Sequence, residues 1–228
     1  MTRRLALVLV LAAALAGPAA TATRAPIFPV AGELDASAVV VHSRPDPRSP
    51  AVTVLHRFRS DFREQIVFAE MQATGADGHA WYRIRLTLRP NGRLGWIPAA
   101  ATAGVSPVLN RIVVHRDARR LDVWRGARLL FRTTVAVGAP GMETPLGHFY
   151  VTARFVPDDS FLGVFALETS AYSKLSEWPG GGVVGIHGTT KPWLLGQAVS
   201  HGCIRVSNAA ALQLKRLAPL GTAITISD

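Results

Sequence analysis

Two short segments hold residues able to run acyl-transfer chemistry: Ile186-His187-Gly188-Thr189 and Ser200-His201-Gly202-Cys203-Ile204-Arg205. Cys203 is the only cysteine in 228 residues, two positions after His201 and sixteen after His187. A thiol attacks as the thiolate. A neighbouring imidazolium lowers the thiol pKa and can later return a proton to a leaving amine. Residues two apart in an extended segment project to the same side, so His201 can share the surroundings of Cys203. Gly202 between them lets a substrate approach the backbone, and the amides of Gly202 and Cys203 can face a developing oxyanion. The same residue types admit blander roles. A single cysteine can pack as a small hydrophobe. His187, His201 and Cys203 could also supply three zinc ligands, although no second cysteine or carboxylate motif stands near to complete that shell.

The elements that must hold these residues are mostly strands, because apolar residues alternate with polar ones through most of the chain. In the C-terminal half, strands are expected at Arg111 to His115, Arg120 to Trp124, Leu129 to Arg132, Thr134 to Val137, His148 to Phe155, Val164 to Leu167 and Ala223 to Ile226. A short helix is expected over Ala171 to Leu175. A clearer one runs from Ala209 to Leu217, capped by Ser207 or Asn208 and stopped before Pro219. In the N-terminal half, Val39 to Val41, Val52 to Leu55, Ile66 to Ala69, Trp81 to Leu86 and Gly95 to Pro98 read as five short strands. Arg89-Pro90-Asn91-Gly92 is the strongest hairpin signal, since Asn-Gly suits a type I′ turn. Five strands within about 65 residues indicate a small β-barrel.

The first residues have a different character. Arg3 and Arg4 precede twelve uninterrupted apolar residues, Leu5 to Ala16, and Ala20-Thr21-Ala22 follows as a small-residue cleavage site. This is the pattern of a secretory signal peptide. Twelve residues reach about 18 Å as a helix, short of a hydrocarbon core of roughly 30 Å, so a membrane anchor is the weaker reading. The divisions expected are a signal peptide over 1–22, a linker over 23–35, a β-barrel over 36–105 and a second domain over 109–228. Hydrophobic residues make up 49% of the chain, enough for cores without staples, and one cysteine excludes an internal disulfide. The net charge of +10 fits anionic wall polymers as neighbours, as well as simple solubility. No clustered basic helix points to nucleic acid.

Taken jointly, His187-Gly188-Thr189, Pro192-Trp193, Gly196, Ser200-His201-Gly202-Cys203-Ile204-Arg205 and Asn208 closely resemble the L,D-transpeptidase family with its YkuD-type catalytic domain. Arg111 to Val114, Val135 to Gly138 and Thr144-Pro145-Leu146-Gly147-His148-Phe149 resemble that family's earlier strands and its Thr-Pro-x-Gly loop; the likeness covers about Asn110 to Asp228. Glu143 departs from the small or proline residue usual before that loop. The order of turns and the Gly95-Trp96-Ile97-Pro98 close make the first domain similar to bacterial SH3-like modules.

The resemblance implies a mainly β protein: a small SH3-like barrel followed by a sandwich or barrel with one or two short helices. It implies Cys203 as nucleophile, His187 as general base oriented by the carbonyl of Gly188, and His201 beside the thiol. Gly202 and its neighbours supply the oxyanion amides. Arg205 would hold a substrate carboxylate or a structural ion pair, while Thr189, Trp193 and Ser200 would line the groove. The activity implied is peptidoglycan cross-linking between third residues of stem peptides, through a cysteine acyl-enzyme and with release of terminal D-Ala. Hydrolysis of the same acyl-enzyme (an L,D-carboxypeptidase) and non-catalytic wall binding are the alternatives. No cofactor or metal is implied, the partners are donor and acceptor stem peptides, and the place of work is the periplasm or cell wall.

Overall fold

The computed structural model describes residues 27–177 and 181–228; the expected signal peptide over 1–22 lies outside the described residues. Seven strands build the N-terminal sheet: β1 (Val30–Leu34), β2 (Ala38–His42), β3 (Ala51–His56), β4 (Ile66–Thr74), β5 (Ala80–Arg85), β6 (Leu94–Pro98) and β7 (Thr102–Pro107). Their order is β3-β2-β6-β5-β4-β1-β7. The five expected strands are β2 to β6. β1 falls inside the segment expected as linker, because Val30 and Leu34 are buried and its backbone pairs with both β4 and β7. The Asn91-Gly92 turn does join β5 to β6, but only Gly92 takes a positive φ, so it is not the expected type I′ turn. The Asn91 side chain bonds across to the second domain instead.

The C-terminal half continues with β8 (Asn110–His115), β9 (Arg120–Arg125), β10 (Arg128–Thr134), β11 (Val137–Gly138), β12 (Gly147–Phe155), β13 (Ala166–Tyr172), β14 (Val183–His187), β15 (Ala198–Ser200), β16 (Ile204–Arg205), α1 (Asn208–Leu217) and β17 (Ala223–Ser227). Eight of these form one sheet in the order β10-β9-β8-β17-β12-β13-β14-β16, while β11 and β15 pair separately. The helix expected over Ala171 to Leu175 is absent: Ala171 and Tyr172 finish β13, with Ala171 fully buried and Tyr172 in register with Val183. α1 is the one α-helix among the described residues. Ser207 Oγ accepts from the Ala210 amide at its N-cap, Lys215 and Arg216 lie in its last turn, and Ala210, Ala211 and Leu214 form its buried face. That face closes a core with Val184, Ile186, Ile204 and Val206. Burying an aliphatic side chain of this size contributes about 2 kcal/mol, so the helix clamps β14 and β16 firmly. No helix among the described residues is long and apolar enough to cross a membrane.

The two sheets share a seam. Phe68 stacks on Tyr150 with ring centroids 5.3 Å apart, and Tyr150 Oη donates to the Ile66 carbonyl at 3.1 Å. Asn91 Nδ2 donates to the Tyr172 carbonyl at 2.8 Å, and the Tyr172 amide donates to Asn91 Oδ1 at 3.0 Å. One side chain thus plays the part of a strand neighbour for the end of β13.

Candidate active site

Strand alternation decides what faces the site. Along β14, Val184 and Ile186 point into the core, so Gly185 and His187 point to the other side. β16 runs parallel to β14 with Ile186 opposite Ile204 and His187 opposite Arg205. Ile204 is also a core residue, so Cys203, one position before it, is delivered to the Gly185 and His187 side. The Gly185 amide points at Cys203 Sγ at 3.4 Å. A Cβ built on Gly185 would lie 3.8 Å from His187 Cδ2 and 4.0 Å from Cys203 Sγ, which places ring and sulfur around one small space. Both residues line a cavity of about 460 Å³.

The imidazole is oriented as a base requires. His187 Nδ1 lies 2.6 Å from the Gly188 carbonyl. A carbonyl only accepts, so the neutral ring carries its proton on Nδ1 and leaves Nε2 as the basic atom. Gly188 has no room for a side chain, since a Cβ there would meet Asn208 Oδ1 at 2.2 Å. Asn208 Oδ1 in turn accepts the amides of Thr189 and Val164, binding this turn to the start of α1.

Both catalytic candidates rest neutral. Burial drives the His187 pKa down to about 4, and the Arg205 guanidinium adds to the fall; the Gly188 and Leu162 carbonyls oppose it. Burial pushes the Cys203 thiol up, against smaller lowering effects of the Gly185 amide and Arg205. Of the two routes open to the pair, proton transfer during attack and a prior thiolate–imidazolium ion pair, desolvation favours the first, because it disfavours both charged forms.

The turn before Cys203 is tightly wired. Ser200 is fully buried; its hydroxyl accepts the Gly202 amide at 3.1 Å and donates to the Cys203 carbonyl at 2.6 Å. Ser200 thus shapes the turn and does not line a groove, and in this resting form the Gly202 amide is already committed to it. Gly202 has φ 115°, and a Cβ on it would meet Ser173 Cβ at 2.8 Å, so the position requires glycine. Thr144, also fully buried, accepts the Gly138 amide and donates to the Gly202 carbonyl, both at 2.9 Å. That bridge is what the Thr144-Pro145 segment supplies. Glu143, the departure just before it, pairs with Lys174 at 2.9 Å and accepts the Gly141 amide, which holds its carboxyl at about 2.

The remaining candidates are dispersed. Thr189 is buried and its Oγ1 accepts the Lys191 amide, so it too serves the local turn. Trp193 is 67% exposed on the short 3-10 turn Pro192–Leu194, outside the cavity walls. Arg205 is buried with its guanidinium over the Phe161 ring, 5.0 Å from the centroid, and its Nε has no hydrogen-bond partner. His201 is half-buried in the turn. Among the described residues no three His, Cys, Asp or Glu side chains are grouped to hold a metal ion, so His187, His201 and Cys203 do not form a zinc shell. Sequence reading missed the other wall of the cavity. It includes Phe155, Leu162 and Glu168 of the second domain and Arg59, Ser60 and Asp61 of the first.

The chain is similar to known proteins. The family model for the YkuD L,D-transpeptidase catalytic domain matches residues 109–226. The YkuD protein of Bacillus licheniformis is 28% identical over 163 residues, covering 69% of this chain and 93% of that protein. The YkuD protein of Bacillus subtilis is 31% identical over 141 residues, covering 58% and 80%. Among solved structures, an L,D-transpeptidase from Mycobacterium smegmatis aligns with TM-score 0.44 at 17% identity, covering 65% of this chain and 90% of that one.

Proposed function

The chain belongs to the YkuD family of L,D-transpeptidase catalytic domains, and we propose that it is an exported enzyme forming 3→3 cross-links in peptidoglycan through a Cys203 thioester. The observation that carries the reading is the single cavity shared by Cys203 Sγ and a His187 ring whose Nδ1 is pinned by the Gly188 carbonyl. Because thiol and imidazole are both neutral at rest, Nε2 removes the thiol proton as Sγ attacks the carbonyl after the third residue of a donor tetrapeptide. The C–S bond forms, the tetrahedral oxyanion collapses, and the terminal D-Ala amine leaves with the proton from Nε2. An amine on a second stem then attacks the thioester, giving its proton to Nε2, and the thiolate departs and is reprotonated there. Water in place of that amine yields the tetrapeptide shortened by one residue.

Export is read from residues 1–22, and the N-terminal sheet is read as an SH3-like module facing the wall. His201 is assigned to positioning the turn that presents the thiol. Incubating the mature protein with a disaccharide tetrapeptide, followed by mass spectrometry, tests the reading. A thioester on Cys203 and 3→3 linked dimers are the expected products, and both vanish in Cys203→Ser. Wall binding without any adduct defeats the catalytic reading, and a shortened monomer without dimers makes the enzyme a carboxypeptidase.

A further inference from the structure

The Cys203 cavity is not built by the catalytic domain alone. Between β3 and β4 the chain makes a hairpin in which the Arg59 amide donates to the Arg63 carbonyl at 2.8 Å and the Phe62 amide to the Arg59 carbonyl at 3.0 Å. Its tip is held in the left-handed region at Phe62, φ 63°. This hairpin leans over β13, where Arg59 Nη2 meets Glu168 Oε1 at 2.6 Å and Asp61 Oδ2 at 3.1 Å. Arg63 Nη1 meets the second oxygen of Glu168 at 3.4 Å and Asp61 at 3.2 Å. Glu168 Oε1 also accepts from Thr152 Oγ1 at 3.0 Å, so the anchor on β13 is itself fixed.

Two features of this lattice matter for a ligand. The ion pairs of Arg59 both run through Nη2, and its side chain, 22% exposed, lines the cavity that also holds Cys203 and His187. Arg59 is also the one cationic side chain among the residues lining the cavity, where Asp61 and Glu168 are the carboxylates. An anionic group on the substrate therefore has a single cationic partner in that lining. A donor peptide's terminal carboxyl carbon lies three bonds, roughly 3–4 Å, from the carbonyl carbon that Sγ attacks. Whatever receives it must therefore line the same cavity.

We propose that the Arg59 hairpin of the N-terminal domain is a specificity element of the active site, with the Arg59 guanidinium receiving the C-terminal carboxylate of the donor stem peptide. The inference rests on the transpeptidase reading above and adds a residue from outside the matched catalytic domain. Glu168 and Asp61 act as positioning residues that hold the guanidinium through Nη2, with Nη1 outside those pairs as the donor to the carboxylate. A donor with a free carboxylate binds; one lacking it loses a charge-assisted contact.

The test is a cycle of two enzymes and two donors: wild type and Arg59→Ala, each with the tetrapeptide as free acid and as C-terminal amide. Acylation of Cys203 is followed by mass spectrometry across donor concentration. Arg59→Ala is expected to raise KM for the acid about tenfold, the scale of one lost charge-assisted hydrogen bond, with kcat changed little. For the amide donor the two enzymes should agree within about twofold, and Arg59→Lys should recover part of the loss on the acid. Equal losses on acid and amide would mean a merely structural role and overturn the proposal, as would no loss on either. Donor KM unchanged with weakened use of the amine acceptor would also overturn it, by assigning the lattice to an ammonium. Should Arg59→Ala fail to fold, the wild type alone decides between outcomes, since equal KM for acid and amide refutes the proposal. Wild type inert towards both donors defeats the transpeptidase reading and this inference with it; an active wild type indifferent to the Arg59 change defeats the inference alone.

Discussion

Burial of a neutral His187 makes the protein lose stability in acid by an amount that can be worked out. In the unfolded chain the imidazole titrates near 6.5, and in the folded chain near 4. Between these values the unfolded state binds a proton that the folded state refuses, so stability falls as pH falls. The full contribution is present above about pH 7, erodes below 6.5 and levels off once pH drops under 4. Each pH unit between the two values is worth about 1.4 kcal/mol, so at pH 4 the loss is roughly 3 kcal/mol once the fraction not yet titrated is taken off. Other groups titrate over the same range, so the measurement is a difference. Urea unfolding followed by circular dichroism at pH 7.5, 6, 5 and 4 is compared between wild type and His187→Gln, which keeps a polar side chain but has no titration there. The wild-type advantage should shrink by about 3 kcal/mol from pH 7.5 to 4, most of it below pH 6. An advantage that stays constant within 1 kcal/mol would show that the ring is not desolvated in the folded state, and the neutral-pair mechanism would go with it. The kinetic companion is an acid limb of acylation near pH 4 to 5, well below that of a free imidazole.

Three substitutions probe the scaffold of the site. Gly185→Ala puts a methyl 3.8 Å from the His187 ring and 4.0 Å from Sγ without a backbone clash; the fold should survive while acylation falls about a hundredfold, since small misplacements of reacting groups cost that much, and a Tm drop of matching severity would refute the geometry. Thr144→Val keeps shape but strips the bridge between the Gly138 amide and the Gly202 carbonyl; it should cost about 2–3 kcal/mol in urea unfolding for two orphaned buried groups and slow acylation, whereas an unchanged midpoint would show the bridge is dispensable. Tyr150→Phe removes the Oη bond to the Ile66 carbonyl but keeps the stack on Phe68; a loss of about 1 kcal/mol with full acylation is expected, and any larger kinetic effect would mean the seam governs the site more directly.

What the sequence revealed and hid can be followed residue by residue. Strand alternation is a local property, so the side of β14 and β16 that carries His187 and Cys203 follows from the apolar residues between them. Gly188 and Gly202 are similarly readable, because each sits where a Cβ has no room. Ser200 and Thr189 misled, since a hydroxyl near a nucleophile looks like a groove wall until its partners are seen to be backbone. Ala171 to Leu175 looked helical from alanine and leucine, and pairing with Val183 overrode that propensity. The protonation of the thiol was hidden for a deeper reason: it depends on how much water the fold removes, which spacing does not encode. Arg59 was invisible for the same kind of reason, because only the packing of one sheet on the other brings it over β13.

Desolvation also resolves the oddity of an unpaired cysteine in a protein proposed to leave the cytoplasm. Oxidation, like alkylation, proceeds through the thiolate. A site that raised reactivity by holding Cys203 ionised would expose it to oxidants at every moment between turnovers. Here burial raises the thiol pKa and lowers that of His187, so the ion pair is disfavoured until a substrate carbonyl is in place to take the developing charge. Nucleophilicity is thereby tied to occupancy of the cavity. The Arg59 hairpin belongs to this logic: Arg59, Ser60 and Asp61 supply part of the cavity wall, so removing them should admit solvent and draw the His187 pKa back towards 6.5.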